Sequence, residues 1–318
     1  MENLFDVIVI GGGSAGLSAA LGLGRARRRV LVLDGGSPRN GVAAHMHNVL
    51  GHDGRPPAEL LESGRAELAR YGIEVRRAEV DAVEPIPAEE PRFAVLAAGT
   101  RLEARRLVVA TGIRDRLPET PGLAEAWGRG VVVCPYCDGW EVRDQPIAVL
   151  ASSPQSAHQI QMLRQWSADL VYLLDGQPEP DAELARALAA RGVRVERERI
   201  AQVDGDDWSD DAPAISAHLA DGRVLELARI FTMPASEPRD AILRGLGAEP
   251  GEDFGPAFVR VDATGRTSVP GVWAAGNVIN PGASVAIAIG QGAMAGGMVN
   301  ADLIAEDTRA ALAATEAG

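Results

Sequence analysis

Phe5-Asp6-Val7-Ile8-Val9-Ile10-Gly11-Gly12-Gly13-Ser14-Ala15-Gly16 is the stretch whose reading decides the fold. Phe5 to Ile10 reads as a buried strand, because its apolar residues run almost without polar interruption. A helical stretch follows from Leu17 to about Ala26. A strand, then G-x-G-x-x-G, then a helix is the dinucleotide-binding fingerprint. Gly11 permits the tight turn, Gly13 lets the backbone approach a pyrophosphate, and Gly16 lets helix pack on strand. Ser14 and Ala15 complete the loop, whose free N–H groups at the helix start suit phosphates. A second strand, Arg29 to Leu33, ends in Asp34, near the spacing of about 20 residues expected for a carboxylate that binds a ribose.

Two later segments end on the same fold. Leu107 to Ala110 is a strand closing in Ala110-Thr111-Gly112, and Gly271 to Ala275 is another closing in Gly276-Asn277. Two strand ends meeting one nucleotide fold, with a long insertion between them, point to FAD rather than NAD.

The insertion carries the reactive chemistry. Val131 to Val133 leads into Cys134-Pro135-Tyr136-Cys137-Asp138-Gly139. A zinc site needs about four ligands. The chain has 2 cysteines, and His45, His47 and His52 would have to fold onto them. A buried, inert pair is the other bland reading. The redox reading fits better: the spacing lets both sulfurs lie in a first helical turn and close a disulfide. A helix start favours thiolate, Pro135 suits that turn, and Asp138 brings a carboxyl group suited to moving a proton.

Along nearly its whole length the chain resembles the low-molecular-weight thioredoxin reductases. The resemblance implies an α/β fold of two Rossmann-like, three-layer nucleotide-binding domains, the second inserted in the first. Residues 1–115 and 243–318 would form the FAD domain, and residues 116–242 the domain carrying the cysteines. It implies that Cys137 exchanges electrons with the flavin, Cys134 forms the mixed disulfide, and Asp138 is the acid–base group. It places Asn48, Val80, Ala110, Thr111, Gly112, Gly276, Asn277, Ser284 and Val285 with the cofactor, Asn277 standing where the family usually has Asp, and Ser284-Val285 where it often has Arg-Gln. The histidines of the loop would cover the flavin rather than bind metal, and His45 and His47 could steer protons. A homodimer is implied by resemblance alone.

The second nucleotide fold departs from that family. Its strand, Pro146 to Leu150, is followed by Ala151-Ser152-Ser153-Pro154-Gln155-Ser156-Ala157, with no glycine. Side chains at 151 and 153 keep a pyrophosphate from the backbone, and Pro154 removes an N–H donor. The next strand, Leu170 to Leu174, ends in Asp175, where the reductases carry arginines for the 2′-phosphate; an acid there repels phosphate, although it suits a ribose hydroxyl. In this the chain is similar to the gliotoxin- and holomycin-type dithiol oxidases, which pass electrons from a dithiol to O₂. Asp138 departs from those oxidases, many of which carry His there. Three functions follow as expectations. The first is an FAD-dependent dithiol oxidase. The second is a thioredoxin-disulfide reductase fed by NADPH, NADH or ferredoxin, with a thioredoxin-like partner. The third is a non-catalytic redox sensor.

Composition sets the outer limits. Net charge is −13 and the 31 basic residues are all Arg. So acidic a chain argues against a nucleic-acid partner, because phosphate contact needs clustered positive charge. The run Arg25 to Arg29 sits at a helix end, where cations complement the dipole. No apolar run approaches the roughly 20 residues of a membrane helix, so a cytoplasmic enzyme is expected. Asp204 to Asp211 reads as a solvated loop, Ala182 to Ala190 as a helix, and Gly290 to Leu303 as the closing helix of the FAD domain.

Overall fold

The computed structural model describes residues 4–205, 215–255 and 257–316. The chain divides into two compact units: Met1–Arg39, Ala58–Arg114 and Glu237–Gly318 form the first, and Asn40–Pro57 with Asp115–Ser236 the second. The return to the first unit thus falls six residues before the expected 243, and residues 40–57 group with the cysteine-bearing unit. The two crossing segments, Ile113–Arg116 and Ala235–Pro238, pair with each other.

The first unit is built on a seven-stranded sheet. Glu74–Arg77, Val30–Asp34, Leu4–Ile10 and Thr100–Val109 run parallel in that order. Phe93–Ala97 and Val80–Pro85 extend it antiparallel, while Val272–Ala274 pairs parallel with Leu107 to Val109. The uninterrupted apolar run at the start of the chain has a direct cause here. Side chains alternate across a strand. Ile8, Ile10, Leu31 and Leu33 fill one core and Val7, Val9, Val30 and Val32 the other, so both faces are covered.

The helix Ser14–Arg25 begins three residues before the expected Leu17, directly off the glycine loop. It packs on the closing helix Val285–Glu316, which is far longer than the expected 290–303. Small residues allow the approach: a Cβ on Gly292 would lie 2.0 Å from the Ala15 carbonyl oxygen. Ser18 Oγ also donates to the Ile289 carbonyl at 2.8 Å. At the far end Arg106, 1% exposed, is held by Asp302 at 2.5 Å and Glu306 at 2.8 Å. Such a pair fixes where the helix docks more than it stabilises, because desolvation offsets much of the attraction.

The second unit repeats the scheme. Arg194–Glu196, Leu170–Leu173, Ile147–Leu150, Arg229–Thr232 and Val131–Val132 form a parallel five-stranded sheet in that order. Again alternate residues serve two cores, with Ala148, Leu150, Val171 and Leu173 on one side and Ile147, Val149, Leu170 and Tyr172 on the other. A three-stranded antiparallel layer, Ile200–Asp204, Ile215–Leu219 and Val224–Leu227, adds to it. The helix Ala182–Ala190 has the expected bounds, and its N-cap Asp181 accepts the Leu184 N–H at 2.8 Å. The acidic loop expected at 204–211 lies largely outside the described residues. Among the described residues no helix is long and apolar enough to cross a membrane.

Candidate functional site

In the first unit Gly11–Gly16, Ala110–Gly112 and Gly276–Asn277 follow the carboxyl ends of parallel strands and Asp34 ends another, where open α/β sheets bind ligands. Gly11 has φ +112°, a conformation that L side chains avoid. A Cβ on Gly16 would lie 1.9 Å from the Gly11 carbonyl oxygen, so the helix turns off the strand with no room for a methyl group. Gly13 is the N-cap and faces open space, and no side chain caps the helix. The loop is therefore a cradle that side chains would fill, and its donor set fits a pyrophosphate.

Asp34 closes the next strand and is only 8% exposed. Its Oδ1 accepts the Gly36 N–H at 2.8 Å, and Arg65 donates to its Oδ2 at 2.9 Å. Arg65 carries no sequence signal; its helix, Pro57–Ala69, brings it to the carboxylate. Val80 starts the strand Val80–Pro85 and is half-buried against the core. Ala110 N–H donates to Ile10 O at 2.7 Å, which joins its turn to the first strand. Thr111 Oγ1 donates to Arg239 O at 2.6 Å, and Gly112 O accepts the Arg239 N–H at 2.9 Å. Gly276 N–H donates to Gln291 Oε1 at 3.0 Å. Ser284 caps the closing helix just before Val285, its carbonyl accepting the Ala288 N–H at 2.8 Å.

Asn277 does more than replace an acid. Its amide nitrogen lies 3.1 Å from Asn280 O, 3.3 Å from Pro281 O and 3.0 Å from Ala283 O. Three acceptors around one atom fix it as the donor end of the amide. A carboxylate has no hydrogen to offer there.

The second unit holds the redox pair. Cys134 and Cys137 form a disulfide, with Cα atoms 5.2 Å apart. Cys134 is the N-cap of the single turn Pro135–Asp138, with Pro135 at the start as expected. One turn is too short for a sizeable dipole, so the expected help from a helix start is confined to local N–H groups. Those of Cys137 and Asp138 both donate to the Cys134 carbonyl, at 3.0 and 3.1 Å. Asp138 is half-buried. Desolvation pushes its carboxyl group up to about 6; Glu141 adds to the rise, while Arg229 and His47 oppose it.

Asn48, in the same unit, has φ +60°, and its N–H donates to Asp53 Oδ1 at 2.8 Å. Among the described residues no cluster of three or more His, Cys, Asp or Glu could hold a metal. Tyr136 and Trp140 flank Cys137 and are each 64% exposed. Tyr136 meets Trp166 edge-on at 5.6 Å, and the Arg143 guanidinium lies 4.2 Å from the Trp140 ring centre.

The glycine-free loop is occupied by its own side chains. Ser152 Oγ lies 2.8 Å from Thr232 Oγ1, donates to Met233 O at 3.0 Å and accepts the Met233 N–H at 3.1 Å. The Ser153 N–H turns to Ser156 Oγ at 3.3 Å. Asp175, a possible ribose hook, accepts the Ile200 N–H at 2.8 Å and the Thr120 hydroxyl at 3.3 Å.

One contact from the helix Ser156–Leu163 reaches the redox pair. Gln159, 3% exposed, donates Nε2–H to Val133 O at 2.7 Å, one residue before Cys134. Its only sequence signal is a polar residue on the helix face that buries Ser156, Ile160 and Leu163.

Two dinucleotide-type α/β folds, one with an open cradle and one with a redox disulfide, define a flavoprotein disulfide oxidoreductase. The family model for pyridine nucleotide-disulphide oxidoreductases matches residues 5–292. The crystal structure of HlmI superimposes with a TM-score of 0.93 at 44% identity, covering 99% of this chain and 98% of that one. An oxidoreductase from Agrobacterium tumefaciens gives 0.86 at 40% identity, covering 94% and 98%. The "Thioredoxin reductase sirT" of Leptosphaeria maculans is 30% identical, with 97% of each chain covered. The chain belongs to the pyridine nucleotide-disulphide oxidoreductase family and is a thioredoxin reductase-like, flavin-dependent enzyme.

Proposed function

We propose that this chain is an FAD-dependent dithiol oxidase. The observation that carries the proposal is the second nucleotide loop. Ser152 and Asp175 are engaged within the unit, and no glycine opens the backbone to a pyrophosphate. Electrons then arrive from the thiol side.

A substrate thiolate attacks Sγ of Cys134, the Cys134–Cys137 bond breaks, and Cys137 leaves as a thiolate. The second substrate thiol, once deprotonated, attacks the substrate sulfur of the mixed disulfide. Cys134 leaves as a thiolate, and the substrate departs as a disulfide, short of two electrons and two protons. Asp138 accepts a proton as the carboxylate; an acid titrating near 6 is mostly ionised at neutral pH and still basic enough to serve. FAD, when bound, supplies the two-electron acceptor that reoxidises the pair and hands electrons to O₂ to give H₂O₂. Gly11, Gly13, Ser14, Ala15 and Gly16 would hold its pyrophosphate and Asp34 its adenosine ribose. Val80, Ala110, Thr111, Gly112, Gly276, Asn277, Ser284 and Val285 would line the rest within the first unit.

Tyr136 and Trp140 offer exposed aromatic surface beside the pair, which suits a small dithiol. A thioredoxin-like partner is the rival, favoured by relatives named as thioredoxin reductases and by Asp138. The experiment is anaerobic addition of NADPH, NADH and dithiothreitol in turn, following the visible flavin band. Bleaching by dithiol alone, reversed by air with peroxide formed, is the expected result. Rapid bleaching by NADPH overturns the oxidase and returns the chain to the reductases.

A further inference from the structure

Asp138 is half-buried beside the disulfide, and each turnover requires its proton to reach solvent. The residue three positions on, Glu141, lies in the turn that follows, its side chain about one-third exposed. His47 comes from a distant part of the same unit and brings its ring between two carboxylates. Its Nε2 is 3.5 Å from Glu141 Oε1, and its Nδ1 is 3.5 Å from Asp53 Oδ2. Asp53 is open to water, with its side chain 70% exposed, and is steadied by the Asn48 N–H. Glu141 and His47 both act electrostatically on the half-buried Asp138, and from Glu141 the groups run through the imidazole to an exposed carboxylate.

We propose that His47, with Glu141, is the relay by which Asp138 exchanges its proton with solvent. An imidazole accepts a proton on one nitrogen and releases it from the other. With Nε2 towards Glu141 and Nδ1 towards Asp53, the ring needs no large movement to pass one on. The charged groups acting on Asp138 are Arg229, Glu141 and His47, and those flanking His47 are Glu141 and Asp53. In dithiol oxidation the proton leaves the substrate thiol for Asp138 and passes outward; in disulfide reduction it travels inward by the same groups. The electrons stay with the sulfurs throughout. The proposal rests on Asp138 being the acid–base group, and His47 acts through it as a positioning and proton-passing residue.

The test is anaerobic stopped-flow reduction of the purified flavoprotein by dithiothreitol from pH 5 to 9. Wild type is compared with His47→Gln, Glu141→Gln and Asp138→Asn, and infrared titration follows the Asp138 carboxyl group. His47→Gln should slow flavin bleaching about tenfold or more at neutral pH, with flavin content unchanged, and added imidazole should restore the rate. Removing its cationic form should raise the Asp138 midpoint, and removing Glu141 should lower it. Slowing in both variants with opposite midpoint shifts is a pattern that a simple loop clasp does not produce. A His47→Gln rate and pH profile equal to wild type, or a loss that imidazole fails to restore, overturns the relay. If His47→Gln does not fold, Glu141→Gln decides: wild-type kinetics there overturn the relay as well.

The two readings fail separately. An Asp138→Asn protein with full activity sinks the acid–base assignment itself. If dithiol does not bleach the wild type, the oxidase reading falls. The relay is then read in reverse, from reoxidation of dithionite-reduced protein by oxidised dithiothreitol; the same slowing supports it, and equal rates overturn it.

Discussion

Gly11–Gly16 and Ala151–Ser156 hold the same place in two units of one design, directly after a central parallel strand. In the first, the backbone is bare and turns without side-chain help, and Gly13 faces open space. In the second, Ser152 bonds to Thr232 and Met233, and Ser153 turns inward to Ser156. The strand, the sheet order and the following helix persist in both. On the proposed reading the fold outlasts its ligand, because the sheet is held by apolar burial on two faces while a ligand site depends on a few bare backbone positions. The second helix has taken other work, since Gln159 ties it to the segment that ends in Cys134.

The comparison breaks most sharply at the cysteines. Cys137→Ser should reduce dithiol-driven bleaching by at least about a thousandfold while leaving flavin bound, as read by anaerobic stopped flow. The next largest effect is at the first loop. Gly16→Val should abolish flavin retention, because its Cβ meets the Gly11 carbonyl oxygen at 1.9 Å and backbone cannot step aside. Purified protein should be colourless, with overpacking adding about 1–3 kcal/mol of destabilisation.

Asp138→Asn should flatten the pH dependence of bleaching, which in wild type rises through about pH 6 as the carboxylate forms. The stability effect has a definite sign. The folded state holds this proton more tightly than the unfolded chain, so stability falls as pH rises from the ordinary carboxylate range through about 6. Removing the charge should therefore raise the melting temperature at pH 7 and not at pH 4, by up to about 3 kcal/mol in stability. Asn277→Asp should cost about 2 kcal/mol and weaken flavin binding, since a carboxylate would face the three carbonyls that the amide nitrogen now satisfies. A thermal melt and a flavin-release titration read both. The smallest effect should come from restoring glycine at 151 and 153. NADPH should still not bleach the flavin, because Asp175 and the Ser152 contacts remain. Bleaching there would mean that the missing glycines alone separate the two loops.

Much of the site was legible as local pattern. The glycine spacing, Pro135 at the first turn and the glycine-free loop each act within a few residues, and the structure keeps each where the sequence put it. The long-range partners were not legible. Arg65 on Asp34, Gln291 on Gly276 and Gln159 on Val133 join residues far apart in the chain, and no local periodicity marks them. The same holds for the loop 40–57, which the sequence assigns to the first unit and tertiary contacts group with the second.

By itself, then, the sequence determined the alternation of strand and helix, the glycine loop Gly11–Gly16, the cysteine pair and the absence of glycine from the second loop. These depend on backbone freedom and on side chains close in the chain. Only the tertiary structure decided that desolvation lets Asp138 hold its proton to about pH 6, that His47 lies between Glu141 and Asp53, and that Asn277 braces its own turn. Desolvation and hydrogen-bond geometry belong to the packed chain, and they have no value until distant segments meet.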